Sequence, residues 1–326
     1  MKYIVYNYIS KAQTVFDVQN PLTGKLAEAF DLFHHYYRPD LIVPPTSKRP
    51  ALKRKAERVC RFCKLGQPDA TFRKLAHVLP QLIGNRYLIH DSECDNCNSL
   101  FGRYEDSLSK YLGMIRTADA IKGQGGIPNY KSLDEKISMR YEREGNGKEW
   151  ITIYDGRDNV NHDGKSILLT STKQPYIPLH VMKCFYKIGY TLLSPHELIH
   201  YQSLLKIITS SEHDSLLGNL AFAIRYTLPA PVQQPFALTY IKKDQHVNEH
   251  IPTKVVVLYF GRYVFEYFLI NSSDWFMFKT GEHCRFYTVP PITETPERIT
   301  GTKIDLSSCE KKVGELDSGI FTFNMR

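Results

Sequence analysis

The chain is short of acid and of long apolar runs. Its 326 residues carry 34 Asp and Glu against 42 Lys and Arg, a net charge of +8. That excess fits a nucleic-acid partner and excludes the strongly acidic, solvating class. No uncharged apolar run approaches the roughly 18 residues needed to span a bilayer, so no membrane association is expected. The opening Met1-Lys2-Tyr3-Ile4-Val5-Tyr6-Asn7-Tyr8 lacks an apolar core and a small-residue cleavage site. A cytoplasmic location is therefore the expectation. Nineteen Gly and eighteen Pro are too few for a collagen-like or low-complexity chain. The length suggests two domains, and a homo-oligomer is compatible with it.

Cysteine is scarce and odd in number: Cys60, Cys63, Cys94, Cys97, Cys184, Cys284 and Cys309. An odd count in a cytoplasmic chain argues against a disulfide framework. Four of the seven form two C-x2-C pairs with thirty residues between them. Each pair offers two thiolates from one tight turn, and two pairs suit a tetrahedral, structural Zn²⁺. Cys184, Cys284 and Cys309 have no such spacing and read as small core or surface residues.

A basic run leads into the first pair. Lys48, Arg49, Lys53, Arg54, Lys55, Arg58, Arg61 and Lys64 are opposed only by Glu57. Alone, such a run would read equally well as a solvated linker; beside a zinc site it suggests phosphate contacts, above all from Lys53, Arg54, Lys55, Arg58 and Arg61. Pro44, Pro45 and Pro50 mark the extended stretch that carries it, and Lys122 to Pro128 is glycine-rich. The organisation expected is an N-terminal segment over 1–45, a basic linker with a zinc domain over 46–122, and a C-terminal α+β domain over 123–326. Leu26, Phe30, Phe33 and Tyr37 predict a helix in the first segment. In the third, Trp150 to Tyr154 and Ser166 to Thr170 predict strands, and Val181, Phe185, Ile188 and Leu192 predict a helix. Val255 to Phe260 and Tyr263 to Ile270 make its end β-rich.

Between the cysteine pairs lie Ala76-His77-Val78-Leu79-Pro80, then Gly84-Asn85, then Glu93-Cys94-Asp95-Asn96-Cys97-Asn98. The succession of C-x2-C, H-x-x-P, a Gly-Asn turn and C-x2-C-N resembles the HNH endonucleases, the ββα-metal nucleases, in their four-cysteine branch. The resemblance covers about residues 57–112. It implies an α+β chain with a small zinc-stabilised ββα-metal domain and hydrolysis of DNA phosphodiesters, with double-stranded DNA as partner. It also implies a setting in restriction or phage defence. By resemblance His77 is the general base, and Asn98 helps hold a catalytic Mg²⁺ or Mn²⁺. A histidine with a purely structural place near the zinc is the competing reading of His77. The family usually has a carboxylate ligand just before the base, where this sequence has Ala76. Glu93 and Asp91 are the nearest carboxylates that could replace it.

Two other classes compete. A zinc-dependent nucleic-acid-binding protein without catalysis explains the cysteines and the basic run, but not His77-x-x-Pro80 or Asn98. His196-Glu197-Leu198-Ile199-His200 matches the H-E-x-x-H of zinc metalloproteases. Ser194-Pro195-His196-Glu197 reads equally as a capping box, which would give Glu197 a structural task. Glu212 and Glu249 are third-ligand candidates without specific spacing.

Overall fold

The structure, a computed structural model, describes residues 2–6, 13–17, 25–145, 147–155, 160–162, 166–210, 220–274, 285–292, 299 and 301–322. Cys284 and Glu212 lie outside the described residues. Among the described residues no helix is long and apolar enough to cross a membrane.

The chain runs β1 (Lys2–Tyr6), β2 (Gln13–Asp17), α1 (Lys25–Tyr36), β3 (Tyr37–Val43), β4 (Ala76–His77), β5 (Ile89–His90), α2 (Asp95–Leu112) and α3 (Ile115–Ala118). It continues through β6 (Tyr130–Lys131), β7 (Ile137–Arg143), β8 (Glu149–Asp155), β9 (Val160–His162), β10 (Ser166–Thr172), α4 (Pro178–Leu192) and α5 (Gln202–Thr209). The last strands are β11 (Phe222–Lys242), β12 (Lys254–Leu269), β13 (Thr302–Asp305) and β14 (Leu316–Thr322). The class is α+β, with a sheet-rich later part, as the sequence suggests.

Two compact units divide the chain, and neither is continuous. One combines Met1–Ser47 with Phe185–Ser307, the other Lys48–Cys184 with Ser308–Arg326. The boundary expected at 122/123 falls inside the second unit.

In the first unit β11 is the organising strand. It pairs antiparallel with β12, with β13 near its start and with β3 near its end. β12 is buried on both faces from Val255 to Phe260, which explains its unbroken apolar run. The two runs seen in the sequence belong to one strand, irregular at Gly261, whose φ is +51°. Phe33 of α1 is fully buried and stacks on Tyr37 at 4.7 Å, and Phe30 packs against the same core; the helix ends at Tyr36, so Tyr37 reaches that core from the start of β3. Gly189 lets α4 lie against β12: a Cβ there would sit 2.4 Å from a Leu269 methyl.

The second unit holds the β4–β5 ladder, α2 and two three-stranded sheets, β6–β7–β8 and β9–β10–β14. Phe101, Tyr104, Leu108, Tyr111 and Leu112 recur at helical spacing and are the buried face of α2. Met114, Tyr130, Ile137, Met139 and Leu169 cluster beyond its end. The helix stops at Gly113, whose φ is +53°. There the Asp317 carboxylate accepts the Met114 N–H at 3.2 Å. A Cβ at Gly113 would lie 2.2 Å from Asp317 Oδ2, so glycine is required on both counts.

Candidate metal centres

The first cysteine pair sits in a tight turn. The Cys60 N–H donates to the Leu65 carbonyl and the Lys64 N–H to the Cys60 carbonyl, with Lys64 in the left-handed region at φ +64°. The second pair opens α2. Cys94 is its N-cap residue in extended conformation, and the Asn98 N–H donates to the Cys94 carbonyl at 2.9 Å. This folding brings the sulfurs of Cys60, Cys63, Cys94 and Cys97 within 4.8 Å of one another. Among the described residues they are the one such group of three or more His, Cys, Asp or Glu.

Cys63 Sγ and Cys94 Sγ are 3.7 Å apart. Tetrahedral zinc with bonds of about 2.3 Å puts its sulfurs about 3.8 Å apart. The cluster therefore fits a structural zinc site. Without a cation the charges are not shared evenly: a hydrogen bond from Cys97 lowers the Cys60 thiol, desolvation raises Cys63, and the hydrogen bond to Cys60 raises Cys97. Four thiolates this close need a cation among them.

The same helix start anchors the strand that carries His77. Asp95 accepts from the Thr71 hydroxyl at 2.5 Å and from the Lys74 and Arg73 N–H groups at 2.8 and 3.0 Å. Desolvation opposes its charge, but these donors outweigh it and hold the carboxyl well below its usual range. The loop 71–74 is thereby fixed to α2 just before β4 begins. On the far side of β4, buried Asn85 closes the Gly-Asn turn. Its amide nitrogen donates to the Leu79 and Leu88 carbonyls, and its oxygen accepts the Tyr87 and Leu88 N–H groups. Gly84 precedes it at φ +101°, a conformation that glycine adopts without strain.

Between these braces the ladder pairs Ala76 with His90 and His77 with Ile89. His77 is half-buried at the end of its strand. Glu93 is 3 % exposed and joins two partners. Its Oε1 accepts from Asn98 Nδ2 at 2.9 Å, and its Oε2 lies 3.3 Å from His90 Nε2. His90 Nδ1 in turn lies 3.0 Å from the Ser92 hydroxyl. Asp91 is placed differently, with its carboxylate accepting the Lys53 backbone N–H at 2.7 Å.

That bond ties the basic run to the connection between β5 and α2. Lys53, Arg54 and Lys55 are exposed, and Arg58 and Arg61 are half-buried. Arg54 pairs with Glu57, and Arg58 Nε donates to the Lys53 carbonyl at 2.9 Å. Lys53 and Lys55 are thus exposed ammonium groups of the run.

Residues 60–110 match the family model of the HNH endonuclease. This segment is similar to the HNH endonuclease domain. No curated protein and no solved structure matches the chain significantly. The matched stretch spans both cysteine pairs, the His77 strand, the Asn85 turn and Asn98. It ends inside α2, which continues to Leu112.

The H-E-x-x-H segment is built otherwise. His196 and Glu197 lie in a turn and His200 in a 3-10 stretch over Leu198–Tyr201, so the two histidines lack the one-face spacing of an α-helix. Glu197 Oε2 accepts the Ser194 N–H at 2.9 Å and its hydroxyl at 2.8 Å, which is the Glu half of the expected capping box; the Glu197 N–H goes to the Ser194 carbonyl at 3.1 Å and not to its hydroxyl. Its Oε1 pairs with Lys254, which is 1 % exposed and also bonds Asp40 at 2.8 Å. Glu197 is committed to holding a buried ammonium.

Asp95 and His90 carry no motif that sequence reading singled out. For Asp95 a signal existed, since an acid in the first turn of a helix is placed to accept N–H groups. His90 stands out only through the strand register.

Proposed function

We propose that this protein is a metal-dependent endonuclease that hydrolyses DNA phosphodiester bonds with its HNH domain. The observation that carries this reading is the contact of Asn98 with buried Glu93 at the start of α2, beside the braced strand of His77. A carboxylate and an amide oxygen are the donors a hard divalent cation prefers, so these residues fit Mg²⁺ or Mn²⁺. Glu93 supplies the negative charge that Ala76 does not. Such a cation, when bound, polarises the scissile phosphate and stabilises the leaving 3′-oxygen.

His77 takes the proton from the attacking water, as imidazole is suited to do near neutral pH. Lys53 and Lys55 bind backbone phosphates and position the duplex without reading its sequence. Zinc on the four cysteines keeps the start of α2 in place but takes no part in the reaction.

Nicking of supercoiled plasmid with Mg²⁺ or Mn²⁺ tests the proposal. Wild type should cut, and His77→Ala should not, with zinc content and solubility unchanged. DNA binding without cutting by either protein would favour the purely binding alternative.

A further inference from the structure

The HNH family usually carries a carboxylate metal ligand where this chain has Ala76. Register shows what stands opposite. Ala76 pairs directly with His90 across β4 and β5. Residues so paired share a face, with Cβ atoms roughly 5 Å apart. The His90 ring thus stands beside the position from which the usual ligand would extend.

Its surroundings are those of a ligating histidine. Nδ1 lies 3.0 Å from the Ser92 hydroxyl, and in the tautomer that donates Nδ1–H to it, Nε2 offers a lone pair on the side of Glu93. The 3.3 Å between Nε2 and Glu93 Oε2 leaves room for one of two things, a proton or a metal ion. An octahedral cation with bonds of about 2.1 Å holds adjacent ligands about 3 Å apart, which this separation matches. Asn98 completes a third corner: a half-turn of its amide puts Oδ1 where Nδ2 now meets Glu93 Oε1 at 2.9 Å.

We infer that His90 is a ligand of the catalytic cation, acting with Glu93 and Asn98 in place of the carboxylate missing at Ala76. The inference rests on the metal-dependent nuclease reading above. It adds a consequence for metal choice. An imidazole in place of a carboxylate favours transition ions over Mg²⁺, so the site should prefer Mn²⁺.

The test is Mn²⁺ titration of the zinc-loaded full chain, followed by electron paramagnetic resonance, with pulsed measurement of nitrogen coupling to the bound ion. Wild type should bind one Mn²⁺ and show imidazole nitrogen coupling. His90→Ala should lose that coupling and at least tenfold in Mn²⁺ affinity, with a smaller loss for Mg²⁺. Zinc content reports whether the variant is folded. Should it fail to fold, the double variant Ala76→Asp/His90→Ala gives a second reading: it should bind Mn²⁺ without nitrogen coupling. Coupling and affinity unchanged in His90→Ala would overturn the inference and leave His90 and Glu93 as a simple ion pair, with the nuclease reading intact. A wild-type chain that neither binds Mn²⁺ nor cuts DNA would overturn both.

Discussion

The Asp91 carboxylate accepts the Lys53 backbone N–H at 2.7 Å, and with the Arg61 N–H donating to the Ser92 carbonyl at 2.8 Å this bond holds the basic run against the loop that leads into α2. The run is therefore fixed to the HNH-like segment instead of trailing from it. Lys53→Gln with Lys55→Gln should weaken DNA binding for every sequence. The dependence of log K on log salt should flatten by roughly 0.9 per lost phosphate contact. Arg54→Gln should do less, because Arg54 already pairs with Glu57. Binding measured between low and moderate salt checks both, and an unchanged slope would return the run to a linker role.

Purified protein should carry about one zinc per chain. Cys94→Ser should release it and expose residues 60–110 to protease, because structural zinc contributes on the order of 10 kcal/mol to such folds. Cys309→Ser, outside the sulfur cluster, should leave zinc in place. Elemental analysis with limited proteolysis decides the matter.

Removing the base at His77 should lower the nicking rate by roughly 10²- to 10⁴-fold, the usual contribution of general base catalysis. Zinc content should not change, since His77 is not among the cluster ligands. Equal rates for His77→Ala and wild type would show that another group activates the water.

Glu266 gives the first unit a pH dependence. The side chain is fully buried, and desolvation raises its pKa well above the ordinary 4.5. Folded, it keeps its proton; unfolded, it ionises near its ordinary value. The unfolded chain thus binds fewer protons over this window. The Glu266 contribution to stability is full below about pH 4.5 and falls as pH rises towards the folded pKa, by up to about 1.4 kcal/mol per pH unit. Glu266→Gln should remove that slope and stabilise the protein at neutral pH. Urea unfolding followed at several pH values would show it.

Glu197→Ala should cost roughly 2 kcal/mol of stability, because it strips one of two carboxylates from a buried ammonium. It should have no effect on peptide hydrolysis, since no protease activity is expected. Thermal unfolding and a casein assay together check this. Casein cleavage by wild type that disappears in Glu197→Ala would restore the metalloprotease reading.

Much of the zinc centre was legible because its signal is local. Two thiolates three residues apart define a turn, and the pattern needs no knowledge of what surrounds it. The stripe on α2 was legible for the same reason, as was the contact of Glu197 with Ser194, though the full capping box does not form. His90 was not, because its place depends on which residue of β5 faces Ala76. That register is set by the turn around Asn85, through four hydrogen bonds that no periodicity announces. The pairing of β3 with β11 and the interleaving of the two units were equally hidden. Both rest on contacts between residues about two hundred positions apart, where pattern along the chain carries no information.

The late arrival of Asp317 has a consequence for how the protein is made. Met114 and Asp317 are separated by 203 positions, and the unit that contains the HNH-like segment includes Ser308–Arg326. On the ribosome the two cysteine turns emerge early and can take up zinc at once, since all four ligands lie within a short stretch. The lock on the end of α2 forms only after residue 317 has left the exit tunnel, with all of the other unit already translated. A growing chain therefore holds its metal well before it holds a finished nuclease unit, and a ribosome that stalls early releases a zinc-bound product whose α2 lacks its closing contact.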